Sequence, residues 1–114
     1  MDEITTQHLL YDLYGSLLTE RQRQVLEDRL FEDHSLQEIA EHLGISRQGV
    51  HDLFSRSMFQ LEDYEKKLGF VQEYIKRRTL LLKLQKRLSE KHAMDEEIER
   101  VIRELIDGEV EPNV

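Results

Sequence analysis

Apolar residues recur along this chain at three- and four-residue spacing between polar turn clusters, the pattern of amphipathic helices. Leu9, Leu10, Leu13 and Tyr14 form the first stripe, predicting a short helix capped by Thr5 or Thr6 and interrupted at Gly15 and Ser16. Thr19 and Gln22 have capping-box spacing and open a helix from about Glu20 to Phe31, with Val25, Leu26 and Leu30 inward. Glu32, Asp33 and His34 make a polar turn. Ser35 and Glu38 repeat the capping box, and Ile39, Ala40 and Leu43 then share one helical face. Val50, Leu53 and Phe54 give the next helix its stripe. With no stop signal after Phe54, that helix is expected to reach about Lys67, supported by Glu62–Lys66 and Asp63–Lys67 pairs at i,i+4. Gly69 predicts a break, followed by a long helix to about Lys91. A last helix runs from Asp95 to Ile106, ended by Gly108 and Pro112.

The run from Leu36 to Ser55 has the anatomy of a helix-turn-helix. Ala40 is small enough to let a second helix approach, and Gly44 stands where the chain must turn with positive φ. Ile45 plugs the turn, and Ser46 can cap the second helix. A plain αα-hairpin shares the apolar pattern; the mutual offsets of Ala, Gly, plug and cap favour the motif. The outer face of the second helix carries Ser46, Arg47, Gln48, His51, Asp52, Ser55 and Arg56. In this motif such positions meet a major groove, where Arg suits guanine and Gln suits adenine.

Charge complicates that assignment. Residues 1–66 hold 6 basic and 14 acidic groups, whereas residues 67–93 hold 8 basic and 2 acidic, and residues 94–114 hold 2 basic and 8 acidic. The net charge of −8 opposes DNA as a whole, but the geometry of the field matters more than its sum. Near the motif only Arg47 and Arg56 are positive, with Asp52 between them. Fewer than about three phosphate contacts give weak, salt-sensitive binding. The stronger basic feature is Lys76, Arg77, Arg78, Lys83, Lys86, Arg87 and Lys91 on the penultimate helix. It reads either as a solvated face partly neutralised by the acidic last helix folding back, or as a contact for RNA, DNA or an acidic protein surface.

At 114 residues the expectation is an all-α protein: a helix-turn-helix domain over residues 1–67 and a charged helical hairpin over residues 68–114, packed on the first. Leu68, Val71, Ile75, Leu81, Leu84 and Leu88 give the hairpin an apolar stripe with a phase shift near Arg77–Arg78. This stripe can cover the N-terminal helices or a second copy of the chain, so a homodimer is expected.

Catalytic chemistry finds little footing. There is no cysteine, no Gly-rich phosphate loop, no Ser-centred elbow and no zinc spacing. Glu38 and His42 stand at i,i+4, but no third metal ligand is placed beside them. No enzyme activity, cofactor or metal is expected. Without a long apolar run or a signal-like start, a cytoplasmic location with no membrane insertion is the expectation.

Residues 17–68, beginning LLTERQRQVLEDRL and including SLQEIAEHLGISRQGVHDLFS, resemble the C-terminal promoter-reading region of bacterial sigma factors. LLYDLYGSLLTERQ at residues 9–22 and SRQGVHD at the start of the second motif helix are more similar to the YlxM family of small helix-turn-helix proteins. That resemblance implies a sigma-like helix-turn-helix bundle with a C-terminal helical extension. It also implies a cytoplasmic bacterial protein with a regulatory or accessory role in the signal recognition particle pathway. Its partners would be DNA or the particle's RNA, or the particle's GTPase subunit or its receptor. Gly49 departs from the Ala usual in that family, at a cost of roughly 1 kcal/mol in helix propensity, and His51 departs from an aromatic Tyr. Two functions compete: a nucleic-acid-binding regulator, whether on RNA or at promoters, and a protein–protein adaptor that keeps the scaffold without reading DNA.

Overall fold

A computed structural model describes residues 2–107. The first helix, α1 (Glu3–Tyr14), is capped by Asp2, whose carboxylate accepts from the Thr5 backbone N–H at 2.7 Å. The expected threonine caps instead lie inside the helix, with Thr6 Oγ1 donating to the Asp2 carbonyl. An acidic side chain at that end also suits the helix dipole. Leu10 and Tyr14, four apart, form the buried stripe, while Leu13 lies off it and is exposed. A single 3₁₀ turn, Gly15–Leu17, leads to Leu18, which is buried.

Helix α2 (Glu20–Leu30) opens on the complete capping box of Thr19 and Gln22. Gln22 has a second task, since its amide also donates to Gln60 Oε1 at 3.0 Å. Val25 and Leu26 are fully buried. At the other end His8 bonds the Leu30 carbonyl at 2.9 Å, and both His8 and Tyr11 pack on the Phe31 ring. Tyr11 also donates its hydroxyl to Glu27, so α1 and α2 are joined along their length.

Helix α3 (Leu36–Leu43) begins at the Ser35–Glu38 capping box and ends at Gly44 with φ 70°. Helix α4 (Arg47–Leu68) begins at Ser46 and ends at Gly69, again left-handed at φ 69°. Of the two ion pairs expected along α4, Asp63–Lys67 is formed at 2.9 Å. The 22-residue α4 touches α1, α2 and α3 and is the spine of the N-terminal unit. Val25, Ile39, Ala40 and Val50 make the motif's core, with Leu36, Leu43, Ile45, Leu53 and Phe54 packed around it. Burying each of the large aliphatic side chains stabilises the unit by about 1.5–3 kcal/mol before entropy is charged against it. Ser57 is fully buried, and its hydroxyl is satisfied by the Leu53 carbonyl at 2.7 Å.

Helix α5 (Phe70–Glu90) follows Gly69, and α6 (Glu96–Asp107) follows a turn in which the Asp95 carboxylate accepts from the Ile98 N–H at 2.8 Å. The expected stops at Gly108 and Pro112 lie outside the described residues. Among those residues there are six α-helices and no strand, so the fold is all-α. The chain divides into two compact units, the first ending at Val71 and the second starting at Gln72.

Candidate nucleic-acid interface

The motif's outer face starts where the backbone needs a cap. Ser46 accepts from the Gly49 N–H at 2.9 Å, which commits one of its oxygen lone pairs to the helix start. At Gly49 an added Cβ would stand 3.1 Å from that same Ser46 oxygen, so the missing methyl relieves crowding at the cap.

Arg47, Gln48, His51, Asp52, Ser55 and Arg56 are all exposed on α4, as the spacing requires. They do not act as free readers. Gln48 donates its amide to Asp52 Oδ1 at 3.0 Å, one turn along the helix. The His51 ring stands 3.7 Å from the same carboxylate. Arg56 Nε leans on the Asp52 carbonyl at 3.4 Å. Asp52 is therefore the hub of the face. It occupies the donor that an adenine would need and sets a negative charge between the two arginines. Arg47 and Ser55 extend without a side-chain partner among the described residues, so Arg47 is the one free charge on the face there.

One turn beyond lies a feature that the sequence reading did not single out. Phe59 is 73% exposed and lines a shallow groove with Ser55, Arg56, Gln60 and Asp63. The signal was present in the sequence, because Phe59 falls four residues after Ser55, on the polar side of the stripe made by Met58 and Leu61.

The polar positions on α3 are spent on structure. Glu38, paired in sequence with His42, accepts from the Ser35 backbone N–H at 2.9 Å, and that bond holds its carboxyl below its usual 4.5. Asp28, His34, Glu41 and His42 border the same shallow surface. Among the described residues no group of three metal-ligating side chains converges.

In the second unit, Lys76, Arg77, Arg78, Lys83, Lys86, Arg87 and Lys91 are all exposed. None of the seven takes part in an ion pair among the described residues; the one pair there joins Arg103 to Glu99 within α6, at 3.1 Å. The acidic first turn of α6 (Glu96, Glu97 and Glu99) thus leaves the α5 cations unneutralised by direct contact. Lys76, Lys83 and Arg87 follow one another at seven and four residues and form a single row, with Lys86 beside it.

Residues 1–101 match the family model UPF0122, "Putative helix-turn-helix protein, YlxM / p13 like". The chain is 49% identical over 88 residues to the UPF0122 protein of Symbiobacterium thermophilum, covering 77% of this chain and 82% of that one. It is 40% identical over 105 residues to a UPF0122 protein of Anoxybacillus flavithermus, covering 92% and 96%. A Bacillus mycoides relative is 39% identical over 102 residues, covering 90% and 93%. None of the described helices is long and apolar enough to cross a membrane.

Proposed function

The chain belongs to the UPF0122 family of YlxM/p13-like helix-turn-helix proteins, and from that premise we propose that it is a regulatory or accessory component of the signal recognition particle pathway that binds nucleic acid. The ligand we assign is the particle's RNA, held on the basic face of α5. The observation that carries this reading is the set of seven exposed basic side chains between Lys76 and Lys91, none of them in an ion pair among the described residues. Each phosphate they neutralise releases a bound counterion, and long flexible cations suit a backbone recognised by shape rather than by base. The recognition helix offers less: its adenine-reading amide is held by Asp52, and among the described residues Arg47 is its one arginine without a partner.

The test compares two variants at fixed salt. Replacing Lys83, Arg87 and Lys91 with Glu abolishes retention of the particle RNA, while Arg47→Ala changes it little. Unchanged affinity in the triple variant overturns the RNA assignment.

A second reading has its own observation. The exposed Phe59 ring, with Asp63 and Arg56 on either side, fits a protein surface better than a phosphate backbone. On that reading the chain is an adaptor for the particle's GTPase subunit or its receptor. The complex then survives nuclease and is lost in Phe59→Ser. A promoter-binding regulator would instead lose its specific-to-nonspecific affinity ratio in Arg47→Ala and Gln48→Ala.

A further inference from the structure

We propose that the groove between α5 and α6 seats a second copy of this chain, in a two-fold pairing that lays α5 of one protomer against α6 of its partner. Leu81, Leu84 and Leu88 from α5 and Ile98, Val101 and Leu105 from α6 line an apolar groove of about 370 Å³. Its deep side is closed by Ile102, which is 3% exposed. Among the described residues its open side is left uncovered: Leu84, Val101 and Leu105 of the lining, and Leu80 one turn before Leu84, are each about half exposed. Four large aliphatic side chains along one strip of a small helical hairpin are a surface that water covers unfavourably.

The borders of the strip identify the occupant. On α5 the row of Lys76, Lys83 and Arg87 runs beside Leu80 and Leu84, at the three- and four-residue offsets that make a common stripe. On α6 Glu97 and Glu104 run beside Val101 at the same offsets. All five charged residues are exposed and none is in an ion pair among the described residues. Read across the groove, the order is positive, apolar, negative. A strip of that order is its own complement. Rotating a copy by half a turn about an axis through the groove brings apolar onto apolar, and each basic row onto the partner's acidic row. An unrelated partner would need the same order reversed, whereas a second copy presents it without further requirement. Two-fold axes that stack α5 on the partner's α5 set like charges together and are disfavoured.

The pairing engages Lys76, Lys83 and Arg87, a row that the RNA assignment also uses, whereas Arg77, Arg78 and Lys86 lie outside it. The dimer does not rest on the RNA assignment.

The test is the mass of the full chain by size-exclusion chromatography with light scattering. The unmodified chain runs at twice its 13.7 kDa. Glu97→Lys with Glu104→Lys gives a monomer, as does Lys76→Glu with Lys83→Glu, each with helix content unchanged by circular dichroism. Mixing the two variants restores a dimer, because each supplies the charge the other has lost. The acidic-row variant keeps the basic row and gains positive charge, so it binds RNA at least as tightly while running as a monomer, which separates failure of the dimer from failure of the RNA assignment. An unmodified chain at 13.7 kDa at every concentration, a dimer indifferent to both reversals, or a mixture that stays monomeric overturns the proposal.

Discussion

Tyr14 and Glu65, 51 positions apart, share a hydrogen bond of 2.6 Å, and each also holds the start of α5. The Tyr14 hydroxyl accepts from the Phe70 N–H at 3.0 Å, and Glu65 Oε1 accepts from the Val71 N–H at 2.8 Å. The tyrosine ring stacks on Phe70 and tilts against Tyr64. Two of the orphan donors at a helix start are thus satisfied by side chains from α1 and α4. Tyr14→Phe keeps the ring and removes the hydroxyl, leaving the Phe70 N–H without its acceptor. The expected loss is about 1–3 kcal/mol of unfolding free energy, measured by urea denaturation. A smaller loss than in Tyr74→Phe, whose ring lies outside this arrangement, would contradict the latch.

The same tyrosine sets the alkaline limit. Burial pushes the Tyr14 hydroxyl above its usual 10.0, and its bond to Glu65 adds to the rise; Tyr11 is raised by burial and by Glu27. A group with its folded value raised contributes stability that is full below the unfolded value and is lost as pH climbs through the folded one. Stability is therefore expected to fall as pH rises past 10, and more gently in Tyr14→Phe. The acid side runs oppositely. The helix-cap carboxylates Asp2 and Glu38 are lowered, each chiefly by a backbone N–H hydrogen bond, so their contribution holds above their usual values of 3.8 and 4.5 and is lost as pH falls. Glu38→Gln, which can keep the capping box, is expected to flatten the acid limb of a thermal-melting profile.

Gly44 is the turn on which the motif depends. Its φ of 70° lies in the left-handed region, and an added Cβ would meet nothing within 4 Å, so the only cost of Gly44→Ala is backbone strain. That cost is about 1–2 kcal/mol. Gly44→Asn is expected to cost less, since asparagine tolerates this conformation. Equal stability of all three proteins in chemical denaturation would show that the turn is not held as described.

Much of this architecture was legible because it rests on local chemistry. The Thr19–Gln22 and Ser35–Glu38 capping boxes, the Ser46 cap and the left-handed Gly44 and Gly69 are each written within four residues. Asp2 was harder to see, because Thr5 and Thr6 are equally good cap types and only the chain path decides between them. Leu13 also escaped: it has the right character for a core, but the stripe facing α4 passes through Leu10 and Tyr14. The Tyr14–Glu65 bond could not be read at all, since nothing local links residues 51 positions apart. On the candidate site, spacing placed the seven motif residues on one exposed face. It carried no sign that Asp52 would take up Gln48, a choice of rotamers rather than of register.

Asp52 is accordingly the residue to remove. Asp52→Ala frees the Gln48 amide and deletes a negative charge between Arg47 and Arg56. Affinity for random-sequence duplex DNA is expected to rise roughly fivefold, about 1 kcal/mol, with a steeper dependence on salt, as read by fluorescence anisotropy. No change would mean that this face does not approach a phosphate backbone.

On the proposed function the nucleic-acid contact lies on α5 rather than on the recognition helix. Equilibrium binding of the full chain to the signal recognition particle RNA and to a random duplex DNA pool, titrated against salt, tests it most directly. Tighter binding to the RNA is expected, with a salt slope that flattens when Lys83, Arg87 and Lys91 become Glu and is unmoved by Arg47→Ala. Tighter binding to duplex DNA, with a slope that flattens in Arg47→Ala and ignores the α5 triple variant, would contradict it.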